Sequence, residues 1–122
     1  MNTTNLQNQT YRQMEKQIAE IFLILRQVRI HMSDCEEINE KMLFMENSDF
    51  PYMNIPNKEL SKKFIFIRQS LFALDDESRK LIINEFYYKR PYWWEEYYSR
   101  STFYRKKKAA MEAFLCYFNF KI

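Results

Sequence analysis

Apolar residues recur along the first third of the chain at Tyr11, Met14, Ile18, Ile21, Leu25, Val28, Met32, Cys35 and Met42. The steps alternate between three and four residues, and the polar Asn39 stands at the position skipped. That alternation places all of them on one stripe of a helix. It predicts a long first helix from near Asn5 to about Glu46. Phe22, Ile24, Ile38, Phe44 and Met45 widen the stripe from a coiled-coil seam toward a face buried against a globular unit. Both readings stay open here. As an oligomer seam, it would use Asn39 to specify register; as an intramolecular face, it would pack on the rest of the chain. Ser33 and Glu36 have capping-box spacing, so a bend or a fresh helix start near Ser33 is an alternative.

Residues 47–57 hold Pro51, Pro56 and several turn formers, and read as a loop. Asn57 is placed to cap a second helix, Lys58 to Leu74, with Leu60, Phe64, Ile67, Leu71 and Leu74 on one face. Asp75, Asp76 and Glu77 set three acids at the start of a third helix, where the dipole favours them. That helix runs to about Tyr88, with Leu81, Ile82, Ile83 and Phe86 inward. Pro91 suits the first turn of a short fourth helix, Tyr92 to Tyr98. Ser99 or Ser101 caps a fifth that continues to about Phe120. Its inward face is Phe103, Ala110, Phe114, Tyr117 and Phe118, with Lys106, Lys107 and Lys108 outside. The fold class is therefore all-α: a long N-terminal helix over 1–46, a loop over 47–57, and a compact four-helix unit over 58–122.

Composition supports this. The 122 residues contain no glycine, which disfavours hairpin turns, bulges and Gly-rich phosphate loops. At 47% hydrophobic and 18% aromatic, the chain is too apolar for disorder. Cys35 and Cys116 are far apart, and His31 is the only histidine. A zinc site needs about four N or S ligands, so no metal and no cofactor are expected. No nucleophile–base pair can be argued either, and the expectation is a non-enzyme. No signal-peptide pattern and no apolar run of about 18 residues occur. The expected location is the cytoplasm, with no membrane partner.

Charge adds an asymmetry. Residues 1–86 carry 11 Lys/Arg against 13 Asp/Glu, whereas residues 87–122 carry 8 against 3. A net −2 is thus followed by a net +5, the electrostatic footprint of a polyanion partner or simply a solvated basic face.

Within residues 71–115, Leu71, Leu74, Arg79, Ile82, Ile83 and Tyr87 are followed by Trp94, Glu95 and Glu96. After them come Ser99, Ser101, Thr102, Tyr104, Arg105, Lys107, Lys108, Ala109 and Phe114. This pattern resembles the helix-turn-helix of sigma-factor region 4, and more closely the ArpU/RinA-type phage transcription regulators. Its most specific piece is SRSTFYRKKKAAMEAF. The chain as a whole is similar to small uncharacterised mollicute proteins. The resemblance implies a DNA-binding regulator of transcription whose helix-turn-helix spans about residues 75–120. It assigns DNA contact to Arg100, Ser101, Thr102, Tyr104, Arg105, Lys106 and Lys108. The residue types suit that role: short polar and basic groups near base edges, then lysines for phosphates. The chain departs from the family in one place. The family has a longer spacer with Leu-Gly in the turn, whereas here Ser99 follows Trp94 by only five residues. A competing expectation is a structural or protein-interaction module, with a degenerate helix-turn-helix and with the N-terminal helix joining a second copy or another protein. RNA binding through the same basic face is a third.

The aromatic cluster from Tyr87 to Tyr98 suits base stacking and, more simply, core and rim packing. Glu95 with Glu96, and Asp75 to Glu77, read as capping and solvated groups before cation ligands. His31 reads as a surface or boundary residue.

Overall fold

The computed structural model describes residues 10–31 and 58–121, with the side chains of 28–31, 120 and 121 left aside. Among the described residues there is no strand, and the protein is all-α.

Helix α1 spans Tyr11–His31. Its start is set by a reciprocal capping box that the periodicity missed. Thr10 Oγ1 accepts from the Gln13 N–H at 3.1 Å, and Gln13 Oε1 accepts from the Thr10 N–H at 2.8 Å. This helix begins at Tyr11; the expected start near Asn5 lies outside the described residues. Met14, Ile18, Ile21, Phe22 and Leu25 are all buried within this one chain. Over these residues the heptad stripe is an intramolecular face. The expected continuation to Glu46, with Asn39 and the Ser33–Glu36 pair, lies outside the described residues, as do the loop over 47–57 and the Asn57 cap.

Helix α2 spans Lys58–Phe72. Leu60, Phe64, Ile67, Leu71 and Leu74 are buried as their spacing predicts. The chain tightens as it leaves α2, where Leu74 N–H donates to the Leu71 carbonyl. Asp75 then caps α3, Asp76–Ile82, accepting from the Ser78 N–H at 2.7 Å. That bond holds the Asp75 carboxyl below its ordinary range.

Beyond α3 the helix continues to Tyr88, as expected, but with its turns widened into a π-helical segment over Ile83–Tyr88. It ends at Lys89, whose φ is +53°. Leu81, Ile82, Ile83, Phe86 and Tyr87 all enter the core.

The predicted helix Tyr92–Tyr98 does not form. Residues 91–97 are successive turns, and Tyr92 has φ +54°. Its bonds are mainly three-residue closures, Glu95 N–H to the Tyr92 carbonyl and Tyr97 N–H to that of Trp94. The two tryptophans account for this. Trp94 stacks on Phe103 with centroids 4.5 Å apart and planes at 9°, while Trp93 meets the same ring edge-on at 6.0 Å. Adjacent residues of a regular helix point about 100° apart and do not readily converge on one ring. The C-terminal unit thus has three helices, not four, and α1 shares its core.

Helix α4 spans Arg100–Lys121. Ser99 is its cap, since Ser99 Oγ accepts from the Thr102 N–H at 3.3 Å. Phe103, Ala110, Phe114 and Phe118 are buried as predicted, joined by Met111 and Leu115, which the reading omitted. Tyr117, expected inward, is 42% exposed. Phe22 of α1 lies against both Phe86 and Phe114, tying three elements at the centre of the core.

Candidate nucleic-acid interface

The residues singled out for polyanion contact lie at the start of α4, and the helix sorts them by direction. Ser101, Arg105 and Lys108 follow one another at steps of four and three on its solvent face, and all are exposed. Arg100 and Tyr104 lie to one side of this stripe. The Arg100 guanidinium sits 5.9 Å from the Tyr104 ring centroid, and that ring packs on Tyr11 and Trp94. Thr102 and Lys106 lie to the other side and are half-buried. Among the described residues no carboxylate pairs with Arg100, Arg105 or Lys108. Glu112 stands one turn beyond Lys108 on the same exposed face.

Lys106 is engaged elsewhere. Its ammonium donates to Glu77 Oε1 at 2.8 Å, while the Tyr98 hydroxyl donates to Glu77 Oε2 at 2.8 Å. The two bonds, that from Lys106 foremost, hold the Glu77 carboxyl below its ordinary range. Its own hydrogen bond to the Glu77 carboxylate pushes the Tyr98 phenol up.

Lys107, expected outside, is buried at 6% exposure. Its ammonium lies 2.7 Å from Glu15 Oε2 and 2.9 Å from Glu85 Oε1. It also sits 5.3 Å from the centroid of the Tyr11 ring and 5.6 Å from that of Phe86. Burial alone would push the ammonium down, but the two carboxylates outweigh it and raise its pKa. Glu85 Oε2 also accepts from the Trp93 indole N–H at 2.9 Å. One cation therefore joins α1, the π-helical segment and α4, and through Glu85 the connector as well. The signal for this was present in the chain. Phe103, Lys107, Ala110 and Phe114 are spaced by four, three and four, so Lys107 stands on the apolar stripe.

The aromatic cluster divides in the same way. Tyr87 is buried, Tyr88, Trp93, Trp94 and Tyr98 are half-buried, and Tyr92 and Tyr97 are about 70% exposed. Asp75 to Glu77 cap and pair as the simpler reading holds. Glu95 and Glu96 are exposed. Among the described residues no group of three or more His, Cys, Asp or Glu side chains is placed to hold a metal ion. No described helix is long and apolar enough to cross a membrane.

Protein-family models, curated proteins and solved structures contain no match to this chain.

Proposed function

We propose that the protein is a non-enzymatic, DNA-binding regulator of transcription that docks the exposed stripe of α4 on duplex DNA. The observation that carries this reading is the state of the cations. Arg100, Arg105 and Lys108 are solvent-exposed, free of carboxylate partners among the described residues, and displayed within the first three turns of a capped helix. The underside of those turns is locked by Phe103 and Lys107. A rigid helix presenting unneutralised guanidinium and ammonium groups is the element a major groove accepts. The resemblance of residues 71–115 to sigma region 4 supports the same assignment.

Three free cations predict a log–log salt slope of roughly −3, at about −0.9 per phosphate neutralised. Fluorescence anisotropy with mixed-sequence duplexes at about 50 mM salt tests it. Lys108→Ala should weaken all duplexes alike and flatten the slope by about one unit. Arg105→Ala should also reduce discrimination between sequences, by about 1–3 kcal/mol per lost bidentate contact. Lys106→Ala should do less, because Glu77 already neutralises that ammonium. No binding at about 10⁻⁴ M protein, the weak end of non-specific affinity, or binding indifferent to these substitutions, rejects the proposal.

One observation favours a second reading, a protein-interaction module with a retired helix-turn-helix. The segment that should form the helix before the recognition helix is a set of turns. Absence of duplex binding together with intact folding selects that reading.

A further inference from the structure

A groove of about 560 Å³ lies between the start of α3 and the connector that precedes α4. This volume is within the range of small-molecule sites, about 300–1,000 Å³. Neither Arg105 nor Lys108 lines it, so it is separate from the stripe on α4.

The residues around it carry both signs of charge, but the two signs differ in availability. Asp76 is paired with Arg79. Glu77 spends one oxygen on Lys106 and the other on the Tyr98 hydroxyl. Lys80 and Arg90 line the same groove and have no carboxylate partner among the described residues. The charge left over in the groove is therefore positive, and it suits an anion.

The remaining wall suits a planar ring. Tyr97 is 69% exposed, and its ring meets Tyr98 only at a tilt of 58° and 6.4 Å, so its faces are not stacked. Trp93 is held in place by its indole bond to Glu85. Asn84, which also lines the groove, donates its side-chain amide to the Lys80 carbonyl at 2.9 Å and has an amide oxygen able to accept from a ring amino group. Aromatic faces, an amide acceptor and two cations without carboxylate partners among the described residues, Arg90 lying over the Tyr88 ring at 4.4 Å, are together the chemistry that recognises a base joined to a phosphate.

We propose that this groove binds a nucleoside phosphate, with the base against Tyr97 and Trp93 and the phosphate at Lys80 and Arg90. The site does not depend on the duplex-binding reading, since its residues and those of the α4 stripe are different. The chemistry is shared by a free mononucleotide and by the phosphorylated end of a strand.

The test is nuclear magnetic resonance on the full chain, following the two indole N–H signals, with Trp93→Phe identifying that of Trp93. Adenosine monophosphate should shift the Trp93 signal with a midpoint at or below about 1 mM. Arg90→Ala and Tyr97→Ala alter exposed side chains and should each weaken binding about tenfold while leaving the rest of the spectrum in place. Adenosine alone and inorganic phosphate alone should each bind more weakly than the nucleotide. A 5′-phosphorylated single strand that binds more tightly than the mononucleotide identifies the strand as the source; one that binds more weakly identifies the free nucleotide. No shift at about 10 mM nucleotide overturns the site. So does a shift unchanged in both variants, or phosphate alone matching the nucleotide.

Discussion

Four consecutive cations, Arg105 to Lys108, belong to two different regions of the molecule. On one side of α4, Lys107 is buried between Glu15 and Glu85, at 2.7 and 2.9 Å. On the other, Arg105 and Lys108 stand in solvent without carboxylate partners among the described residues. Lys106 lies between the two, half-buried and held by Glu77. A helix turns about 100° per residue, so a run of like charge in sequence cannot be one surface in space. One member of this run joins elements, one steadies a neighbour, and two stand exposed, where the proposed DNA contact needs them.

The sharpest way to break this contrast is Lys107→Ala. It strands two carboxylates in a partly buried site, and loss of a buried partner costs roughly 3–5 kcal/mol. Glu15 is about one-third exposed, so the lower end, about 3 kcal/mol, is expected. Urea unfolding followed by tryptophan fluorescence measures it. A loss below about 1 kcal/mol, the value of a surface pair, would make Lys107 no different from its neighbours. Because its pKa is raised, the contribution of Lys107 is complete below the unfolded ammonium value, about 10.4, and is lost only as pH rises through the folded one.

A smaller effect is expected from Ser99→Ala, which removes the cap that starts the whole display. The expected cost is about 1 kcal/mol, seen as a drop in melting temperature of about 4 °C. If helix content and melting temperature both stay at wild-type values, the cap is not what orients Arg100 to Lys108.

Acid should act through Lys106's side of the helix. Glu77 has a lowered pKa, so its contribution is present above the unfolded carboxyl value, about 4.3, and disappears as pH falls through the folded value. Melting temperature should fall less steeply between about pH 5 and pH 3 in Glu77→Gln than in wild type. Asp75, lowered by the Ser78 N–H, keeps part of the slope in both. Parallel curves would remove Glu77 from the account.

Least of all should happen to stability in Arg105→Ala and Lys108→Ala, both expected within about 0.5 kcal/mol of wild type. A larger loss in either would mean that the exposed pair also supports the fold, and would weaken its assignment to a partner.

Much of the fold was legible in the sequence. The absence of glycine and the apolar spacing predicted an all-α chain, and Leu60 to Leu74 and Leu81 to Phe86 occupy the core as their periodicity requires. Met14, Ile18, Ile21 and Leu25 were also legible as a buried stripe, because a helix collects residues three and four apart whatever covers them. What covers them was not legible, since the same stripe serves a coiled coil or a core; the packing of Phe22 on Phe86 and Phe114 decided it.

Tertiary structure alone decided three further matters. Residues 91–97 have a passable helix pattern, yet two tryptophans converging on Phe103 impose turns, because burying large rings outweighs a weak local preference. The groove beside them depends on which acids are already neutralised: Arg79 meets Asp76 one turn along the same helix, but Lys106 reaches Glu77 only through folding. Lys107 entered the core because two carboxylates, Glu15 and Glu85, arrive there from distant parts of the chain. A charge is buried only where its partners meet it, and sequence spacing does not carry the position of those partners.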